Sequence, residues 1–311
     1  MQIENNWIKR GVIFNPVDLN EWIKSHAYIP TPILLNDETI RIFVAFRDAA
    51  GVGRVGYVDV QAKDPFEVIS VSQTPCLDVG MPGTFDDNGV TPISVVNENG
   101  NLYLYYAGWQ LSDKVRYFLF AGLAISSDMG NSFKRVKNVP ILERTDQEFL
   151  VRTAPGVFKQ DEKWHMIYSG GNKTILLENN KTVPSYSLKY LTSNDGINWC
   201  TTPQEVLIPE IATEYGFGRP FVIYENEMYK MWYSIRKFDK KYTLGYAESA
   251  DLQKWIRLDN QLDSFTQDTN SYENEMQGFA AIIKTKYGNY MFYNGNNFGE
   301  TGVCCAFQKS S

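Results

Sequence analysis

The sequence predicts an all-β fold: a five-bladed β-propeller with four antiparallel strands per blade and a ring closed by an N-terminal strand. Three observations predict it. First, one phrase recurs, in which a loop with charged residues leads to a proline opening a strand. A tight polar turn and a second strand ending in a polar residue follow. The phrase is clearest in EYGFGRPFVIYENEMYKMWYSIR (214–236) and returns at 31–47, 91–109 and 154–172. A fifth copy at 277–296 has Gly278 where the others have Pro32, Pro92, Pro155 and Pro220. The marks lie about 60 residues apart, and a repeat of that length built from short strands points to propeller blades. Second, SSDMGNSFKR (126–135), SNDGINWCT (193–201) and SADLQKWIR (249–257) share Ser, then Asp, then an aromatic. The Asp is expected to bond turn amides, and the aromatic to pack between blades. Third, the 311 residues are long enough for a large buried core, and repeat folds run longer than usual as one unit.

The elements follow in order within a single domain, 1–311. The run VIF inside WIKRGVIFNP reads as a strand at 7–15 that completes the last blade, since closure removes a free sheet edge. DLNEWIKSHA (18–27) offers Asp18 as an N-cap before two helical turns, with Leu19, Trp22 and Ile23 on one side. The blades fall at approximately 28–77, 88–142, 150–210, 215–265 and 275–308. The third carries an insert, NKTILLENNKTVPS (172–185), between its second and third strands. The fifth is one strand short, which the N-terminal strand supplies.

A net charge of −6 and a pI near 5.2 argue against a nucleic-acid partner, because phosphate backbones need a basic face. No apolar run approaches the ~20 residues of a membrane helix. The start, MQIENNWIKRG, lacks the apolar core of a signal peptide, so a cytoplasmic protein is expected. Cys76, Cys200, Cys304 and Cys305 form no C-x-x-C, and two histidines supply no zinc cluster, so reduced thiols are expected. No cofactor is required on this reading; an axial calcium held by Asp and Asn oxygens is compatible with it.

The blade count, the proline-led inner strands and the Ser-x-Asp marks resemble the five-bladed propeller carbohydrate enzymes of families 43, 32, 68 and 130. The resemblance implies an active site on the propeller axis, built from first strands and the loops before them. It also exposes departures. Thr31 stands where family 43 carries a base Asp, and Ala154 where it carries a second Asp before proline. Phe217, Gly218 and Arg219 replace its acidic Glu-Gly-Pro corner. The phosphorylase group, whose sites use basic residues to hold phosphate, is a looser comparison but a chemically more comfortable one.

First-strand starts and second-strand ends then supply the site candidates. Asp87, Glu214 and Glu275 come from three blades and are the candidate catalytic carboxylates. Glycosidic cleavage needs two carboxyls about 5–5.5 Å apart for retention or 6.5–9.5 Å for inversion. The alternatives are an Asx turn for Asp86 and Asp87, and salt bridges for the glutamates. Arg47, Arg152, Arg219 and Arg236 favour an anionic ligand if they converge, since guanidinium binds phosphate or carboxylate bidentately. Each could instead pair with a blade-linking acid. His26 precedes blade one and suits proton transfer or anion holding, or else a backbone bond. Asp86, Trp109, Asn294 and Asn296 complete the substrate-binding set, as aromatic faces and amides suit a sugar. The expected function is an enzyme acting on a glycosyl unit, by hydrolysis, phosphorolysis or transfer. An anionic sugar, phosphate or nucleotide sugar is the expected ligand. The competing class is a non-catalytic sugar-binding or scaffold propeller.

Overall fold

The computed structural model describes residues 7–176, 182–239, 242–267 and 269–309. The described strands fall into successive antiparallel meanders. The first comprises β2 (Ser25–Asn36), β3 (Thr39–Arg47), β4 (Gly53–Gln61) and β5 (Val68–Val71). The second comprises β6 (Val90–Glu98), β7 (Asn101–Leu111), β8 (Tyr117–Ser126) and β9 (Lys134–Arg135). The third comprises β10 (Val151–Gln160), β11 (Lys163–Leu176), β12 (Thr182–Ser193) and β13 (Gln204–Leu207). The fourth comprises β14 (Glu214–Glu225), β15 (Met228–Lys237), β16 (Thr243–Ser249) and β17 (Ile256–Arg257). The last comprises β18 (Gly278–Thr285), β19 (Gly288–Asn294) and β20 (Val303–Gln308), and β1 (Ile8–Phe14) pairs antiparallel with β20. The N-terminal strand thus completes the C-terminal sheet. Short parallel bridges also join β8 to β10 and β12 to β14.

The inner strands share a device that the proline marks only partly located. Each is expected to begin at its proline, but β2, β6, β10 and β14 begin upstream, and the proline lies at an interruption of the ladder. Register breaks fall between Tyr28 and Thr31, Pro92 and Ser94, Thr153 and Gly156, and Gly218 and Phe221. A fifth falls between Gly278 and Ala281. At four of these breaks a non-glycine residue is left-handed: Ile29 (φ 53°), Ala154 (52°), Arg219 (46°) and Phe279 (61°). The residues after them are Pro30, Pro155, Pro220 and Ala280. The equivalent positions in the first and last sheets are therefore Pro30 and Ala280, not Pro32 and Gly278. Proline cannot donate to a ladder, so a bulge is where an inner strand tolerates it.

The expected helix at 18–27 is absent. Asn20 Oδ1 accepts the Trp22 and Ile23 amides at 3.1 and 2.9 Å. This side-chain turn competes with helical bonding, and β2 takes over at Ser25. The insert at 172–185 prolongs the β11–β12 hairpin: Lys173 pairs with Ser185 and Leu176 with Thr182. Its tip, 177–181, lies outside the described residues.

The Ser-x-Asp turns form as expected. Asp195 Oδ1 accepts the Ile197 and Asn198 amides, both at 2.8 Å, and Asp251 accepts those of Gln253 and Lys254 at 2.9 Å. Phe133 meets Phe43 of β3 edge-on at 5.4 Å, and Trp199 meets Tyr105 of β7 at 6.3 Å. These aromatics pack between neighbouring sheets, where ring pairs add to burial.

Candidate active site: an arginine-lined cavity

The bulges of the inner strands meet at one place. Ile29, Ile93, Ala154, Arg219 and Phe279 all line a cavity of about 320 Å³. Ile29, Ile93, Ala154 and Phe279 belong to one buried apolar cluster, which plugs its floor. Arg219, 1 % exposed, lies within that floor. Its guanidinium donates to the carbonyls of Phe279 (3.1 Å) and Pro30 (2.7 Å) and to that of Ala280. It thereby satisfies backbone groups released by the bulges of β18 and β2. Burial pushes its pKa down to about 9, so it remains a cation at neutral pH.

The walls are aromatic and basic. Tyr28, Trp109, Tyr117, Tyr186 and Tyr242 line the cavity together with Arg47, Arg116 and Arg236. Trp109 is fixed by its indole N–H, which donates to Thr91 Oγ1 at 2.9 Å. Arg236 Nη1 donates to the Tyr186 hydroxyl at 3.0 Å, and the guanidinium lies over the Tyr215 and Tyr242 rings at 4.8 and 5.3 Å. Arg47 Nη1 lies 3.1 Å from His26 Nε2. Burial, reinforced by the Arg47 charge, lowers the His26 pKa to about 4. His26 is therefore neutral at pH 7 and can accept from Arg47. Arg47, Arg116, Arg219 and Arg236 form no ion pair with a carboxylate among the described residues, and no Asp or Glu lines the cavity there. Arg236 Nε, Arg219 Nε and the Thr153 hydroxyl are buried without a hydrogen-bond partner. Buried polar atoms are normally satisfied, and these three belong to residues that line the cavity.

The proposed carboxylates stand elsewhere. Glu214, 4 % exposed, is gripped by Arg257. Asp87 forms no Asx turn: its carboxylate reaches back to the Gly83 amide at 2.8 Å and accepts from the Asn88 side-chain amide at 2.6 Å. Glu275 is exposed, and its backbone amide donates to Asn296 Oδ1 at 2.8 Å. Asp86 is fully buried and accepts from the Tyr106 hydroxyl (2.9 Å) and Arg135 (2.8 Å). Arg152 lies 2.9 Å from Glu148 and so is a paired, buried residue. Asn294 is saturated: it accepts the Ile29 amide and donates to the Ala27 and Gly302 carbonyls. Asn296 is likewise engaged with the 271–276 loop. Of the binding set, Arg47, Trp109, Arg219 and Arg236 line the cavity, and His26 touches it through Arg47.

Arg116, Tyr117, Tyr186 and Tyr242 were not among the sequence candidates. They lie at or near the starts of third strands. In an antiparallel meander the first and third strands run the same way, so third-strand starts lie at the end where second strands finish. That rule selects them, alongside the second-strand ends Arg47, Trp109 and Arg236.

A second cavity of about 290 Å³ adjoins the first and shares Tyr28, Arg47, Thr91, Trp109, Arg116 and Tyr117 with it.

Residues 174–303 match the family model of β-1,4-mannooligosaccharide phosphorylase, family 130 of the glycoside hydrolases. That stretch contains Tyr186, Arg219, Arg236, Tyr242 and Phe279. An uncharacterized protein of Mycobacterium tuberculosis is 27% identical over 296 residues, covering 95% of this chain and 97% of its own. Among solved structures, the β-1,2-mannobiose phosphorylase of Listeria innocua, in complex with β-1,2-mannobiose, is similar with a TM-score of 0.71. The identity is 11%, over 98% of this chain and 97% of that one. A structure from work on family-130 hydrolases that target β-1,2 mannosidic linkages in Candida mannan has a TM-score of 0.72. Its identity is 15%, over 98% and 95% of the two chains. A thermostable family-43 glycoside hydrolase has a TM-score of 0.65 at 16% identity, over 91% of this chain and 88% of that one. The chain therefore resembles the β-propeller glycoside hydrolase-like enzymes of families 130 and 43 in fold over nearly its whole length, and family 130 in sequence over residues 174–303.

Proposed function

We propose that the protein is a carbohydrate-active enzyme that handles a glycosyl unit together with phosphate, in a cavity on the axis of a five-bladed ring. The meanders, the repeat of roughly 60 residues and the pairing of β1 with β20 support that ring. One observation carries the functional reading: Arg47, Arg116 and Arg236 line a cavity beside Tyr28, Trp109, Tyr117, Tyr186 and Tyr242, without a carboxylate partner among the described residues. Guanidinium groups without counter-ions favour an anion, and aromatic faces favour a sugar. Hydrolysis through paired carboxylates needs two of them in the cavity, and Asp87, Glu214 and Glu275 are held outside it. Phosphorolysis draws its nucleophile from the substrate: an oxygen of hydrogen phosphate bonds to the anomeric carbon as the glycosidic C–O bond breaks, and the leaving oxygen takes the proton that the hydrogen phosphate gives up. The protein then has chiefly to hold the anion and orient the sugar. The match of residues 174–303 to a mannooligosaccharide phosphorylase family agrees with this reading, while the similar solved structures include hydrolases as well as a phosphorylase.

The same lack of lining acids favours one alternative, a propeller that binds an anionic sugar without turning it over. Incubation with β-linked mannobioses and inorganic phosphate decides between them. Formation of a hexose 1-phosphate supports the enzyme. Phosphate-dependent binding without product leaves the binding protein, and failure of hexose 1-phosphates to bind removes both.

A further inference from the structure

The second cavity gives the site a shape that a single sugar phosphate does not fill. Its outer wall is made by Ala50, Gly51, Val52 and Gly53, at the start of β4, and by Asn88 and Gly89 before β6. Glycines at three of these positions leave mostly backbone facing the space, and a Cβ on Gly53 meets nothing closer than 3.5 Å. Trp109 and Tyr117 stand at the passage between the cavities, with ring centroids 4.9 Å apart. Each cavity alone lies near the lower bound of about 300–1,000 Å³ for small-molecule sites.

The passage is where the free positive charge concentrates. Arg47 and Arg116 line both cavities. Asp48, the neighbour of Arg47, does not neutralise it: its carboxylate is taken by Arg54 and by the amides of Ala50 and Val52 at 2.9 and 3.0 Å. Those bonds also fix the loop that walls the outer cavity. His26, the polar contact of Arg47, is uncharged at neutral pH.

We infer, resting on the anionic-sugar reading above, that the ligand has two parts joined through phosphate. The sugar and its phosphate occupy the main cavity, which Arg236 lines, and the next phosphate lies at Arg47 and Arg116 between the two cavities. A second ring enters the outer cavity beside Trp109 and Tyr117. A nucleoside diphosphate sugar has this chemistry. A neutral two-ring sugar laid across both cavities would leave the two arginines without a partner.

Calorimetry on the full chain tests this with four kinds of probe: glucose and mannose 1-phosphates, UDP-glucose, GDP-mannose and neutral mannobiose. The expected result is that a nucleoside diphosphate sugar binds at least tenfold more tightly than its hexose 1-phosphate. Arg116→Ala, on an exposed segment, should lower that affinity about tenfold. Gly53→Leu, which fills the outer cavity, should bring it down to that of the hexose 1-phosphate. Equal affinity for the one-part and two-part anions overturns the inference and leaves the anionic-sugar reading standing. Tightest binding of neutral mannobiose overturns the inference and leaves phosphorolysis of a mannobiose standing, whereas no binding of any anion overturns both.

Discussion

Arg257 holds Glu214 with two bonds, Nη2 to Oε1 at 2.8 Å and Nη1 to Oε2 at 3.0 Å. The grouping of acid, cation and second-strand tyrosine recurs around the fold. Tyr106 donates to Asp86, which pairs with Arg135. Tyr168 donates to Glu148, which pairs with Arg152 and Lys189. Tyr293 donates to Glu273, which pairs with Lys9. In the fourth meander Tyr233 donates to Asp259, which shares Arg257 with Glu214. Asp86, Glu148, Glu214 and Glu273 thus fasten four of the five sheets at their ends, which is why these four acids are unavailable to a substrate.

Glu214→Gln should therefore act on stability. Removing one partner of a fully buried pair costs about 3–5 kcal/mol. Arg257 keeps 28% of its side-chain exposure, so solvent takes up part of the loss. A cost of roughly 2 kcal/mol is expected, read as a lower denaturation midpoint. Hexose 1-phosphate affinity of the folded variant should be unchanged. A normal midpoint with lost affinity would instead place Glu214 in the site.

The propeller-like repeat was legible because bulges, turns and interleaved aromatics repeat as local chemistry. The Ser193–Asp195 turn needs only neighbouring residues, so the sequence is enough to predict it. The destination of a charge is different. Glu214 and Arg236 both lie where an axial site was expected, but their partners, Arg257 and Tyr186, are about 40 and 50 residues away in sequence. Which acid meets which cation depends on how the sheets are packed, and the repeat does not encode it. Arg116 and Tyr186 were missed for a related reason: their distance from the proline mark varies with hairpin length.

Ala154→Gly should stabilise the protein. Ala154 is left-handed at φ 52°, a conformation costing an L-residue roughly 1–2 kcal/mol. Glycine relieves that cost but adds back chain entropy of about 0.5–1 kcal/mol. A net gain of about 0.5 kcal/mol is expected in chemical denaturation, and a β-branched Ala154→Val should lose stability. A loss from the glycine variant would show that the Ala154 methyl group matters more to the cavity floor than its backbone strain.

His26 gives the protein a pH dependence with a definite sign. Its folded pKa is lowered from 6.5 to about 4, first by burial and then by Arg47. Between these values the unfolded chain binds a proton that the folded one refuses. The His26 contribution is fully present above pH 6.5 and is lost as pH falls toward 4. An anion bound at Arg47 should offset the repulsion and raise the imidazole pKa. NMR titration of the His26 ring with and without phosphate checks this, and His26→Gln should flatten the stability slope over that pH range. An imidazole that titrates near 6.5 in the free protein would refute the coupling.

Arg236 offers the clearest separation of charge from shape. Its head lies among Tyr186, Tyr215 and Tyr242, bonded to one hydroxyl, with Nε unpartnered. A guanidinium bonded to a ligand anion contributes roughly 1.5–3 kcal/mol, which corresponds to about tenfold or more in affinity. Arg236→Lys keeps the charge but loses the planar fork and its stacking on the tyrosines. Arg236→Gln keeps hydrogen-bonding ability but loses the charge. Binding of a hexose 1-phosphate should fall at least tenfold in the glutamine variant and less in the lysine variant. The free hexose should bind each variant nearly as it binds the parent. Titration calorimetry at two salt concentrations adds a second check, since screening weakens a charge-driven contribution and leaves a shape-driven one in place. If the two variants lose equal affinity for the phosphate and for the neutral sugar, Arg236 supports the tyrosine wall and does not hold the anion.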